Sequence, residues 1–181
     1  MITQSLVKLL DEAIIPAVAL IVAKMLGLLV AIALLNLPFS LKSGAILWVL
    51  PSIQFKSTSA YIAAENYSNL AMFLIAALGS LIVLVRAHFF HESHIHPALH
   101  AKLVSLNLES LVVPSYHLYH QALIWLIFLW LTVGLLIVST LMAITTTQLS
   151  IIALVVATNF SWIFAVDVER ELEYQRHKRE A

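Results

Sequence analysis

Four apolar stretches, each long enough to cross a bilayer as a helix, take up most of this chain: 13–37, 68–88, 121–143 and 149–166. A hydrocarbon core of about 30 Å is crossed by about 20 apolar residues in helical form. The hydrophobic share is 61% and the charged share 11%, against about 25% charged in a soluble domain. With the apolar residues committed to spans, too little remains for a soluble core. The expected fold is therefore all-α: a polytopic membrane protein with four transmembrane helices in a bundle. One transmembrane domain is expected over 1–166, with a histidine-rich cytoplasmic connection at 88–120 and a charged, helical cytoplasmic tail at 167–181.

Basic residues set the expected orientation. With residue 1 on the cytoplasmic side, Lys8, Arg86, Lys102, Arg170, Arg176, Lys178 and Arg179 fall inside, whereas Lys42 and Lys56 fall outside. Seven against two favours both ends in the cytoplasm, in a bacterial inner membrane or its equivalent. The first apolar run is longer than a signal-peptide core and carries Asp11 and Glu12 just before it, so it reads as a retained span. The formal net charge is zero, which gives no bulk attraction to nucleic acid. There is no cysteine, which removes disulfide, thiolate-metal and S-acylation chemistry.

The connections have their own signals. Residues 2–13 repeat Ile2, Leu6, Leu9 and Leu10 at helical spacing and read as an amphipathic surface helix, with Pro16 opening or kinking the span that follows. Pro38, Gly44 and Pro51 punctuate an irregular segment in which 45–53 is apolar but too short to cross, an interfacial or re-entrant piece holding Trp48. Ser57, Thr58 and Ser59 are N-cap candidates for the helix that enters the second span. Pro97 predicts a helix reaching about residue 113, although the alternation over 106–109 also admits a strand. The uncharged turn Thr145-Thr146-Thr147-Gln148 joins the last two spans as a tight hairpin.

Small residues recur every fourth position in three spans: Ala19, Ala23, Gly27 and Ala31; Ala60, Ala64, Ser68, Ala76 and Ser80; Ala153, Ala157, Ser161 and Ala165. Residues four apart share a helix face, and in lipid helices associate by close backbone approach. These faces either pack the bundle internally or meet another protein. The third span, with Trp125, Phe128 and Trp130, either faces lipid or fills the gaps opposite the small residues.

Lys24 lies near the middle of the first span, where a charge costs about 2.5–3.5 kcal/mol on insertion scales. No acid is expected at its depth; Thr132 and Asn159 fall level with it by counting from the span ends. Three roles fit: snorkelling to the cytoplasmic interface, pairing with a carboxylate of a partner subunit, or titrating in a transporter. Lys24→Leu is expected to leave insertion intact.

Seven of the eight histidines fall between 88 and 120. His88 and His91 lie three apart at the end of the second span, and His117 and His120 three apart at the start of the third. Such pairs share helix faces and could hold a metal or a haem. Otherwise they satisfy interfacial hydrogen bonds, or form a surface that responds to pH near the imidazole value of about 6.5. HESH is not HExxH, and no phosphate loop, GxSxG or nucleic-acid motif is present. The expected role is a non-enzymatic membrane subunit or scaffold, meeting lipid, other membrane subunits or a second copy, and a soluble partner at the tail. A metal- or haem-binding protein and a small transporter or channel subunit are the alternatives.

Overall fold

The computed structural model describes residues 2–46, 50–89, 95–108, 112 and 115–180. Five helices and one two-stranded ribbon follow in the order α1 (Ile2–Leu35), β1 (Phe39–Ile46), β2 (Leu50–Phe55), α2 (Thr58–Phe89), α3 (Pro97–Ser105), α4 (Ser115–Leu141) and α5 (Thr147–Glu180). Four of them, α1, α2, α4 and α5, are long and apolar enough to cross a membrane. Helix α1 packs on α2 and α4, and α5 packs on α4 and α2. Accordingly 39% of the apolar span is buried in both α2 and α4, but only 22% in α1 and 17% in α5. The central pair is α2 and α4, and the flanking helices turn large aliphatic side chains outward, among them Ile15, Ile21, Leu34, Ile151 and Val155.

Small residues make the seam. Ala60, Ala64, Ser68, Met72, Ala76 and Ser80 of α2 are all buried. The seam changes partner along its length. Ser68 Oγ donates to the Lys24 carbonyl of α1 at 2.8 Å, and Ser80 Oγ donates to the Trp125 carbonyl of α4 at 3.2 Å. A serine reaches a neighbouring helix's backbone only when the two backbones nearly touch. Ala23, Gly27 and Ala31 of α1 are buried and Ala19 is half-buried; in α5 Ala153 and Ala157 are buried, Ser161 is half-buried and Ala165 is exposed. Leu126, Leu129, Val133 and Leu136 of α4 fill the space opposite, with Leu20, Met72 and Phe73.

Two features differ from the sequence expectation. Residues 39–46 and 50–55 pair as an antiparallel ribbon rather than a re-entrant piece, which adds a small β element to a mostly helical chain. Phe39 pairs with Phe55 and Leu41 with Ile53 on one face, Ser40 with Gln54 and Lys42 with Ser52 on the other. This is the period-two alternation of a strand. The register shifts between Lys42 and Ile46, around Gly44, and a two-stranded ribbon has only edges, which tolerate Pro51. Trp48 lies outside the described residues.

Helix α3 is also shorter than expected. It opens at Pro97, with His96 accepting from the Ala98 N–H at 3.3 Å, and stops at Ser105. Asn107 adopts a left-handed φ of 56°. The Leu108 N–H returns to the Leu103 carbonyl at 2.8 Å and the Asn107 N–H to Val104 at 3.0 Å, the paired bonds of a Schellman ending. Asn36 and Ala143 end α1 and α4 with left-handed residues in the same way.

Elsewhere expectation and structure meet. Ser57 caps α2, its hydroxyl accepting from the Ala60 N–H at 3.2 Å. Helix α5 runs without a break from the turn at Thr147 through the charged residues to Glu180. Helix α1 is one helix from Ile2 to Leu35 with Pro16 inside it, so 2–13 continue into the span instead of standing as a separate surface helix.

Candidate functional site

Two polar centres sit at opposite ends of the bundle. The first surrounds Lys24. Its ammonium lies 3.0 Å from Glu65 Oε2 and donates to Asn69 Oδ1 at 3.0 Å. Asn69 is buried, and its amide donates to Thr145 Oγ1 at 2.9 Å. That bond fixes the depth of the cluster: it is level with the α4–α5 turn. From Lys24 to Leu35, α1 continues for about 16 Å at 1.5 Å per residue, so the cluster lies well inside the α1–α2 hairpin while reaching the end of the α4–α5 hairpin. Asn66 places a buried Oδ1 beside this region with no hydrogen-bond donor among the described residues.

This geometry corrects three expectations. An acid does stand at the level of Lys24. A span beginning at residue 68 leaves Glu65 outside it, whereas α2 begins at Thr58 and carries Glu65 two turns in. The lysine is engaged at the turn end of the bundle rather than extended toward the opposite end. Thr132 and Asn159 take no part: Thr132 Oγ1 donates to the Phe128 carbonyl at 2.9 Å, and the exposed Asn159 donates to the Val155 carbonyl at 2.7 Å. Both spend their polar groups on their own helices. Counting from Ser57, already a cap candidate, would have found Glu65.

The second centre gathers the histidines and carboxylates at the other end. His88, in the last turn of α2, lies 3.0 Å from the buried Asp167 of α5. His120, in the second turn of α4, lies 2.6 Å from Glu12 of α1, and His117 lies 3.9 Å from the same carboxylate. Tyr116 stacks on His120, and the Tyr119 hydroxyl donates to the Asp167 carbonyl oxygen at 3.4 Å. His88, His117 and His120 therefore each meet a carboxylate on a neighbouring helix, and all four long helices are cross-tied at one level. Both carboxylates flank apolar spans, Glu12 before the first and Asp167 after the fourth, so depth alone could have paired them with the histidines.

Among the described residues, no three His, Asp or Glu side chains converge where a metal ion could be held. His91 lies outside the described residues. The geometry provides histidine–carboxylate ties, with His88 and His96 also lining a cavity of about 300 Å³ together with Tyr119, Asp167 and Arg170. Removing one such tie should be measurable. Glu12→Ala takes the partner from His120 and is expected to cost about 1.5–3 kcal/mol, the range for a hydrogen bond to a charged group. Thermal unfolding in detergent checks this, and an unchanged midpoint would show that the tie carries no stability.

Compared with known proteins, the chain matches no family model, no curated protein and no solved structure.

Proposed function

We propose that this chain is an integral membrane protein with four spans, both ends of the described chain on the basic side, and that it serves as a non-enzymatic subunit or scaffold of a larger membrane assembly. The outward aliphatic side chains of α1 and α5 support the membrane, since contiguous apolar surface on this scale is not solvated by water. The small-residue faces and Lys24 are largely satisfied within the chain, so support for an assembly rests on one observation. Helix α5 is continuous from its apolar span into 167–180, and Leu172 stands exposed among the charges there. A rigid helix leaving the bundle with an exposed leucine is suited to hold a soluble or membrane-edge partner at a fixed distance.

A transporter or channel subunit is the second reading. The Lys24–Glu65–Asn69 cluster favours it, since ionisable groups within spans mark transport routes in many membrane proteins.

The absence of cysteine makes topology direct to test. Cysteine introduced singly at Gln4 and His177 should react with an impermeant reagent from one side, and cysteine at Lys42 and Gln148 from the other. Solubilised mildly from its native membrane, the chain should migrate with a stoichiometric partner that a chain ending at Arg170 fails to hold. Labelling of residues 4 and 177 from opposite sides would overturn the topology. Identical migration of a lone chain with and without 171–181 would overturn the assembly.

A further inference from the structure

The cavity at the His88–Asp167 end has an apolar neighbour. Beside it, with His88, Phe89, Asp167 and Arg170 lining both, lies a groove of about 370 Å³ between α2 and α5, lined also by Leu81, Val85, Trp162 and Ile163. Each volume falls within or beside the range of small-molecule sites, about 300–1,000 Å³. The groove walls are aliphatic and aromatic, and Trp162 is exposed. The polar end is built differently. Asp167 is buried and engaged by His88, so its charge already has a neighbour. Arg170, one turn farther along α5 and on the same side, is exposed and has no ion-pair partner among the described residues. One uncommitted guanidinium therefore sits at the mouth of an apolar trough, where the apolar span of α5 gives way to its charged end.

We infer that this cavity and groove form a binding site for a single membrane phospholipid, its phosphate on Arg170 and one acyl chain along the α2–α5 groove. Charge complementarity selects the headgroup. A guanidinium presents a planar fork of donors that matches a phosphate bidentately. The imidazoles of His88 and His96 line the same cavity and offer further polar contacts to the glycerol and phosphate oxygens. Position selects the lipid over a soluble phosphate, because the trough leads away from Arg170 along the apolar span. An acyl chain laid there covers the outward faces of Leu81 and Trp162. The site rests on the membrane reading above but not on the assembly.

The test uses the full chain in detergent, stripped of lipid and titrated with dioleoyl phosphatidylglycerol under native mass spectrometry. Wild type should saturate at one retained lipid. Arg170→Gln, an exposed position whose change leaves the bundle intact by circular dichroism and elution volume, should weaken that lipid at least tenfold. Leu81→Trp should block it by filling the trough. Lipid brominated on its acyl chains should quench Trp162 emission with the same saturation in a Trp48→Phe, Trp125→Phe, Trp130→Phe background, which leaves Trp162 as the one tryptophan. Adducts that grow without saturation and are equal in wild type and Arg170→Gln would overturn the site as ordinary boundary lipid. Equal binding of dioleoylglycerol would overturn phosphate recognition, and equal binding of glycerol phosphate would overturn the acyl trough. A chain that stays dispersed without detergent would instead defeat the membrane reading itself, so the two failures are distinguishable.

Discussion

Gly27→Val should separate α1 from α2. A Cβ at position 27 would lie 2.6 Å from the Ala71 Cβ, 2.9 Å from the Ser68 Cα and 2.9 Å from the Tyr67 carbonyl oxygen. Two of these three atoms are backbone, and the third is a methyl with nowhere to rotate. Relief requires the helices to move apart. That movement also lengthens the 2.8 Å bond from Ser68 to the Lys24 carbonyl and the contacts of the Lys24 ammonium. Overpacking in a close-packed interior typically costs about 1–3 kcal/mol, and the coupled losses put valine at the upper end of that range or above it. Unfolding by SDS titration measures the change. Two other glycines calibrate it. At Gly79 the three atoms nearest an added Cβ all belong to the ring of Trp125, a side chain rather than backbone, so Gly79→Ala should cost less. At Gly134 nothing lies within 4 Å, and Gly134→Ala should be neutral or slightly stabilising. If valine at 27 unfolds no more readily than alanine at 134, the close approach of α1 and α2 is wrong.

The same residues show how far the sequence could be read. Spacing of four put Ala64, Ser68, Ala76 and Ser80 on one face, and that face is buried, because helical periodicity is a local property that tertiary contacts do not alter. Which helix the face meets is not local. Nothing in the row of small residues says that Ser68 touches α1 while Ser80 touches α4. The ribbon of 39–46 and 50–55 is hidden in the sequence for a different reason. Phe39, Leu41, Ile53 and Phe55 alternate correctly with Ser40, Lys42 and Gln54, but Gly44 and Pro51 weaken strand propensity, and a shifted register between Lys42 and Ile46 was needed to accommodate them. The early stop of α3 turns on Asn107 adopting a left-handed conformation, which asparagine tolerates but does not announce.

The polar sites were legible as residue types and not as pairs. His88, His117 and His120 stand out by their density, and their spacing alone predicts that they converge on one another. Their described partners are carboxylates instead, Asp167 and Glu12, because four antiparallel helices of nearly equal apolar length bring their polar boundaries to one level. In the sequence Arg170 is only a topology signal. Its place beside a trough depends on where α2 and α5 diverge, which no single-chain pattern encodes.

Breaking the Lys24–Glu65 pair on one side should cost more than removing both partners. Glu65→Leu leaves an ammonium beside apolar helix faces with Asn69 as its remaining acceptor, and Lys24→Leu leaves a carboxylate beside Asn69. Stranding one member of a fully buried pair costs about 3–5 kcal/mol, whereas an exposed pair is worth about 0–1 kcal/mol. The two side chains are 43% and 23% exposed from the bundle, so about 2 kcal/mol for each single change lies between those limits. The double variant Lys24→Leu, Glu65→Leu should recover most of that loss, since it places leucines at a face already lined by aliphatic side chains. A double-mutant cycle by SDS titration should therefore give a coupling comparable to either single effect, whereas additive single losses would show that the ions act independently. The cycle also divides the two functional readings. If the pair only fastens α1 to α2, the double variant keeps its partner and its place in the membrane. If the cluster carries an ion or a substrate, vesicles containing the restored, stable double variant lose flux that wild type shows. Stability recovered together with full flux would remove Lys24 and Glu65 from any transport route.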